Sequence, residues 1–267
     1  MLRLAEAEEI RNYTLDISKV DQEASNLHVK CSFSLDFQDK DYVSMNFGGA
    51  ADFSIEDLVV KSDPDLEYEY IKDSKTLNFY KKGRKKARIY MDYVYTNLSS
   101  FFIYGEGDAE LWETSFGEYF YPYVPDTFMD VALNVETPDS LSLICSYPLE
   151  SDDATRYSGK LNRILSQSLT LAFIRDEAYQ RTDEYIPDKL SIYQIKDMQC
   201  GKERYDELLE MTEAAVTFFG RIYGEDYISA ERNVTALPVY LFHNGKGFSN
   251  RYNIGFFGIH GLHQFCQ

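Results

Sequence analysis

Along residues 11–147 the chain reads as strands, alternating between apolar and polar residues with a period of two, the spacing of a strand with one buried face. YTLDISKV (13–20) begins it, and in LHVKCSFSLDF (27–37) Leu27, Val29, Cys31, Phe33, Leu35 and Phe37 share one side. VSMNFGG (43–49), FSIEDLVVKS (53–62), LEYEYIKDSKTLNFYKKG (66–83) and ARIYMDYVYTN (87–97) continue it, the last with Ile89, Met91, Tyr93 and Tyr95 on one face. Gly48-Gly49, Asp63-Pro64, Asp73-Ser74 and Gly83 punctuate the runs as turns. TFMDVALNVETP (127–138) and SLSLICSYP (140–148) add two more strands, and 158–185 reads as strand-like pieces with a weaker period. Many short strands separated by turn residues predict an antiparallel saddle or sandwich.

The texture changes across a boundary near 185–190. KLSIYQIK (189–196) is a short strand, and KERYDELLEMTEAAVTFFGRIYG (202–224) has the 3.6-residue apolar stripe of a helix. VTALPVYLFHN (234–244) and NIGFFG (253–258) read as strands again. The pattern therefore predicts a mainly β protein with a smaller α/β part: an antiparallel saddle or sandwich domain over 1–186 and a β–α–β segment over 187–267.

Composition refines this little. The 22 Tyr and 18 Phe favour half-buried sheet faces. The 27 Lys and Arg stand against 44 Asp and Glu, a net charge of −17, which argues against nucleic acid or an anionic membrane as partner. With no signal-peptide h-region at the N-terminus and no apolar run long enough to span a bilayer, the expectation is a cytoplasmic protein. Cys31, Cys145, Cys200 and Cys266 form no CxxC pair and read as reduced thiols. The sequons at Asn12, Asn97 and Asn233 read as chance matches.

Candidate chemistry is sparse. KKGRKKAR (81–88) is the one basic cluster and reads as a hairpin turn at Gly83 with soluble lysines on its rim, rather than as a phosphate contact. Trp112, Phe116, Tyr119, Phe120, Tyr121 and Tyr123 form an aromatic group that reads as packing rather than as a stacking platform. A serine–histidine–aspartate set is open by composition, but no G-x-S-x-G elbow, Walker loop or dinucleotide fingerprint is present. His260 and His263 are the weak metal candidates. Their i, i+3 spacing, with Gly261 where a general-base glutamate would stand, departs from H-E-x-x-H, so no metal site is expected from them.

The order of elements resembles a known family. WETSFGEYFYP, TFMDVALNVETP and EAAVTFFGRIYGEDY, with the strand pair at 234–257, are similar to the N-terminal portion of the aminopeptidase N-like zinc metallopeptidases, the gluzincins. The resemblance runs loosely from about Tyr13 to Phe257. It implies a β-saddle followed by the start of a thermolysin-like catalytic domain, ending before an intact HExxH zinc motif. It also implies that Gly247, Phe248, Ser249 and Asn250 occupy the place of the family's GAMEN substrate loop. Ser249 then stands where a glutamate would hold a substrate's free amine, which puts aminopeptidase specificity in doubt. The resulting expectation is a non-catalytic region, inactive alone, with no cofactor of its own. Zinc is expected only if the missing catalytic part is supplied. Self-association or a partner is expected through the C-terminal segment. The alternatives are a β-rich binding or scaffold module for a peptide, glycan or protein, and a metallohydrolase with an atypical C-terminal site.

Overall fold

The computed structural model describes residues 5–6, 10–21, 26–47, 53–97, 111–113, 120–125, 127–139, 141–145, 147, 149–166, 169, 171–174, 179–186, 190–195, 210, 239–243, 248–249 and 254–258. The described residues are mainly β. In chain order the strands are β1 (Ala5–Glu6), β2 (Ile10–Asp21), β3 (Asn26–Asp36), β4 (Tyr42–Asn46), β5 (Phe53–Asp63), β6 (Glu67–Ile71), β7 (Thr76–Tyr80), β8 (Lys86–Asn97) and β9 (Leu111–Glu113). They continue with β10 (Thr127–Glu136), β11 (Ser142–Cys145), β12 (Glu150–Asp153), β13 (Arg156–Leu165) and β14 (Leu171–Ile174). The last five are β15 (Tyr179–Ile186), β16 (Leu190–Ile195), β17 (Val239–His243), β18 (Phe248–Ser249) and β19 (Ile254–Gly258). Of the helix predicted at 202–224 only Glu210 is described, and it is helical and exposed.

An eight-stranded sheet forms the framework, in the order β12-β13-β10-β2-β3-β8-β5, with β1 beside β10. It is mixed rather than purely antiparallel: β10 runs parallel to both β1 and β2. The predicted alternation is visible in its burial. Tyr13, Leu15 and Ile17 of β2, Leu27 to Leu35 at alternate positions of β3, and Ile89 to Tyr95 at alternate positions of β8 are all buried. Val131, Leu133 and Val135 of β10 extend the same apolar face. The intervening residues form an opposite, polar and partly solvated face, as expected where only one side of a sheet is covered.

Two three-stranded sheets, β4-β7-β6 and β11-β14-β9, contribute their buried side chains to the same apolar cluster. Val43, Met45, Leu77 and Phe79 face inward from the first, and Phe79 meets Phe33 edge-on at 6.1 Å. Phe47, just past β4, packs edge-on against Tyr93 with ring centroids 5.4 Å apart. Leu171 and Phe173 of β14 are fully buried.

Residues 120–124 tie these layers together. Asn46 and Tyr123 exchange both backbone hydrogen bonds. The Tyr13 hydroxyl donates to the Pro122 carbonyl at 2.9 Å, and the Tyr93 hydroxyl donates to the Phe120 carbonyl at 2.8 Å. The Leu169 amide donates to the Tyr121 hydroxyl at 3.2 Å. Buried tyrosines thus satisfy the backbone of an irregular segment that would otherwise leave unpaired carbonyls in the core.

Backbone irregularities interrupt the alternation where the sequence period fails. Asn12 in β2 and Asp57 in β5 have φ of 54° and 52° and sit at register shifts against β3 and β8. Asn and Asp tolerate this left-handed conformation better than other side chains, and each extra residue lets the strand keep its apolar phase on both sides of the bulge. The turn at Gly83 differs from expectation in one respect. The Arg84 amide closes it onto the Lys81 carbonyl, and Gly83 takes φ 82°. However, it joins β7 of a small sheet to β8 of the large one, so it is a crossover between layers rather than a hairpin.

A separate five-stranded sheet runs β15-β16-β17-β19-β18. Its central pairs β16–β17 and β17–β19 are parallel, and its two end strands pair antiparallel.

Candidate functional site

The polar face of the large sheet brings three chemistry-bearing side chains into one row. Ser18 lies on β2, His28 on β3 and Asp92 on β8, three strands that run side by side. His28 Nδ1 is 3.0 Å from Ser18 Oγ, and its Nε2 is 2.6 Å from Asp92 Oδ1. An ionised carboxylate only accepts hydrogen bonds, so in the neutral ring Nε2 carries the proton and donates to Asp92. Nδ1 is then a bare acceptor, and the Ser18 hydroxyl donates to it. The local fold produces this meeting. All three residues fall on the polar phase of their strands, and a register shift between Ile17 and Lys19 displaces Ser18 relative to its neighbours on β3. His28 and Asp92 retain 27% and 47% of their side-chain exposure, so the row is accessible from solvent.

Beside it is an open groove of about 500 Å³, lined among others by Asp16, Lys30, Val59, Lys61, Tyr90 and Asp92. The cross-strand register sets Asp16, Lys30 and Asp92 side by side on β2, β3 and β8. Lys30 Nζ is 3.9 Å from Asp92 Oδ2, an exposed ion pair of little energetic weight. Asn134 Nδ2 donates to Asp16 Oδ1 at 2.6 Å. Val59 and Tyr90, 48% and 42% exposed, add apolar surface, and the Arg88 guanidinium stacks 5.2 Å over the Tyr90 ring.

On the opposite, buried face, Cys31 sits among Tyr13, Tyr93 and Tyr121. Burial pushes its thiol up to about 12, the Asp16 charge adds to the rise, and a hydrogen bond with Tyr13 works against it. The Tyr13 and Tyr93 phenols are held well above their ordinary value, chiefly by burial. A thiol so disfavoured as thiolate is inert, and this cluster is structural.

The basic run is largely committed to local contacts. Lys81 donates to the Gln38 carbonyl at 2.9 Å, Lys82 pairs with Glu67, and Lys86 pairs with Asp36 at 2.9 Å. In the aromatic group, Phe120, Tyr121 and Tyr123 are buried and in edge contact with one another, as packing residues. Phe116 and Tyr119 lie outside the described residues.

Of the four residues placed at the substrate loop, Phe248 and Ser249 form β18, paired with Phe256 and Gly255 of β19. Gly247, Asn250, His260 and His263 lie outside the described residues. Among the described residues no group of three His, Cys, Asp or Glu side chains is placed to hold a metal ion. Among them, too, no helix is long and apolar enough to cross a membrane.

Pattern reading did not single out Ser18, His28 and Asp92. The signal was present in their shared polar phase, but joining it required knowing which strands are neighbours. No protein-family model matches the chain, and no curated protein matches it significantly.

Proposed function

We propose that this chain is the front region of an aminopeptidase N-like metallopeptidase, a β-saddle joined to the first sheet of a catalytic domain. In this reading it is not itself a zinc peptidase, and its C-terminal sheet holds an extended peptide. Support comes first from the β-rich build over residues 5–174, a large mixed sheet whose apolar side chains share one cluster with those of two smaller sheets. It comes next from the five-stranded sheet, whose strands β16 to β19 fall in the segment where the resemblance expects the catalytic domain to begin, with β15 just ahead of it.

The observation that carries the peptide-binding part is β18. It is the terminal strand of that sheet among the described strands and runs antiparallel to β19. A terminal strand offers a row of backbone donors and acceptors to which an extended peptide adds as a further strand.

The test combines binding with hydrolysis. Fluorescence anisotropy with a labelled, unstructured hydrophobic peptide is expected to show saturable binding. Successive N–H groups point to opposite sides of a strand, so one of Phe248→Pro and Ser249→Pro removes the edge-facing N–H, and that variant is expected to weaken binding by roughly fivefold or more, the worth of about one net hydrogen bond. Aminoacyl-coumarin substrates with added zinc are expected to remain uncleaved. Absence of binding would remove the peptide role. Stoichiometric zinc, with cleavage lost on His260→Ala, would overturn the reading in favour of an atypical metallohydrolase.

A further inference from the structure

The row on the polar face of the large sheet has no part in the peptide-binding reading and is independent of it. It runs hydroxyl to imidazole to carboxylate, with both contacts at hydrogen-bond distance, 3.0 Å and 2.6 Å. Each member is on a different strand of one continuous ladder, so the three are held by the sheet rather than by a loop. Asp92 selects the tautomer in which the nitrogen facing Ser18 is the base. This is the functional logic of an activated serine, with the two ring nitrogens exchanged relative to the familiar triads.

We propose that Ser18 is an activated nucleophile that accepts an acyl group from small aryl esters, without a metal. Ser18 Oγ forms a bond to the ester carbonyl carbon as its proton passes to His28 Nδ1. The bond from that carbon to the leaving aryloxide oxygen breaks, and the aryloxide takes the proton from Nδ1. Water then adds to the acyl-serine, giving a proton to Nδ1; the carbon–Oγ bond breaks, Oγ recovers the proton, and a carboxylate is released with one proton to solvent.

Asp92 is a positioning residue, holding the ring and balancing the imidazolium that forms in each step. Lys30 is the next outward residue after His28 on β3 and has a half-exposed side chain, which gives its ammonium the freedom to swing towards a developing oxyanion. The groove shares Asp92 with the row and exposes Tyr90 and Val59 further along the sheet, and an activated aryl ester is the substrate class because its aryloxide is a good leaving group.

A fluorophosphonate probe and p-nitrophenyl acetate, each in the presence of a metal chelator, test this on the full chain. The expected result is one equivalent of probe mapped to Ser18 and an initial burst of nitrophenol. Ser18→Ala is expected to abolish both. His28→Gln is expected to slow labelling by roughly a hundredfold or more, and Asp92→Asn by at least about tenfold while the urea midpoint stays near wild type. A purely structural contact would move the midpoint without this ordered loss of reactivity. Probe that fails to label, labels elsewhere, or labels Ser18 at an undiminished rate in His28→Gln would overturn the proposal. The mapped position in the wild-type chain decides even if a variant unfolds. Chelator resistance keeps this result separate from the zinc and peptide tests.

Discussion

Alkaline titration of the buried thiol offers a direct measurement of how dry the core between the sheets is. Cys31 is buried, and its thiol is raised from 9.0 to about 12. A thiol with a raised folded value keeps its proton in the native state while the unfolded chain has already lost it. Native protein then binds more protons than unfolded protein, and stability falls as pH rises. The contribution is fully present below about pH 9 and is lost progressively towards about pH 12, in line with the shift in this thiol. By about pH 11 two units of the interval have been crossed, which costs about 3 kcal/mol at 1.36 kcal/mol per unit. Tyr13 and Tyr93 act with the same sign at higher pH, because their phenols are also raised by burial.

The thiol is isolated by comparing wild type with Cys31→Ala. Urea unfolding followed by far-UV circular dichroism, at intervals from about pH 8 to about pH 11, yields stability against pH for both. The variant starts lower, by about 1–2 kcal/mol for the small cavity, but its curve should be flatter by about 3 kcal/mol over the range. Curves that stay parallel would refute the reasoning. So would native protein whose Cys31 reacts with a thiol reagent as fast as unfolded chain at about pH 8.

Other expectations follow from the same geometry. Tyr13→Phe and Tyr93→Phe each orphan a buried carbonyl in residues 120–124 and should each cost about 1–3 kcal/mol in urea unfolding. Phe33→Ala opens the contact between the large sheet and the β4-β7-β6 sheet and should cost about 3–5 kcal/mol, with Phe79→Ala similar and the pair less than additive because the rings touch. Lys86 and a backbone amide hold the Asp36 carboxyl below its ordinary value. Lys86→Ala should therefore move that titration upward in carbon-detected NMR, and an unchanged midpoint would show the ion pair to be absent in solution. Asp57→Gly, at φ 52° in the bulge of β5, should leave the melting temperature unchanged or raise it slightly, whereas Asp57→Val should lower it.

The period-two pattern revealed which residues of each long strand are buried, because a strand's side chains alternate whatever its neighbours are. Leu27 to Phe37 and Ile89 to Tyr95 could be assigned to the core one residue at a time. It revealed less wherever a strand lacks a half-buried face. β12 is exposed along its whole length, so ESDD carries no apolar signal, and its pairing with β13 cannot be read from alternation. The crossover at Gly83 looked like a hairpin because local turn chemistry is the same whether the next strand returns to its partner or enters another sheet.

Pairing order and strand direction arise from long-range packing. The parallel pairing of β10 with β2 joins residues more than a hundred positions apart, and no local preference encodes it. The same limit governed the site. Ser18, His28 and Asp92 each lie on the polar side of a readable strand, but their contacts depend on β2, β3 and β8 being neighbours in a register shifted at Ser18. The chain by itself thus determined the buried face, the turns and the polar phase of each strand, which are local properties of alternating side chains. Only the tertiary structure decided which polar residues meet, because that requires burying the apolar face of the whole sheet at once.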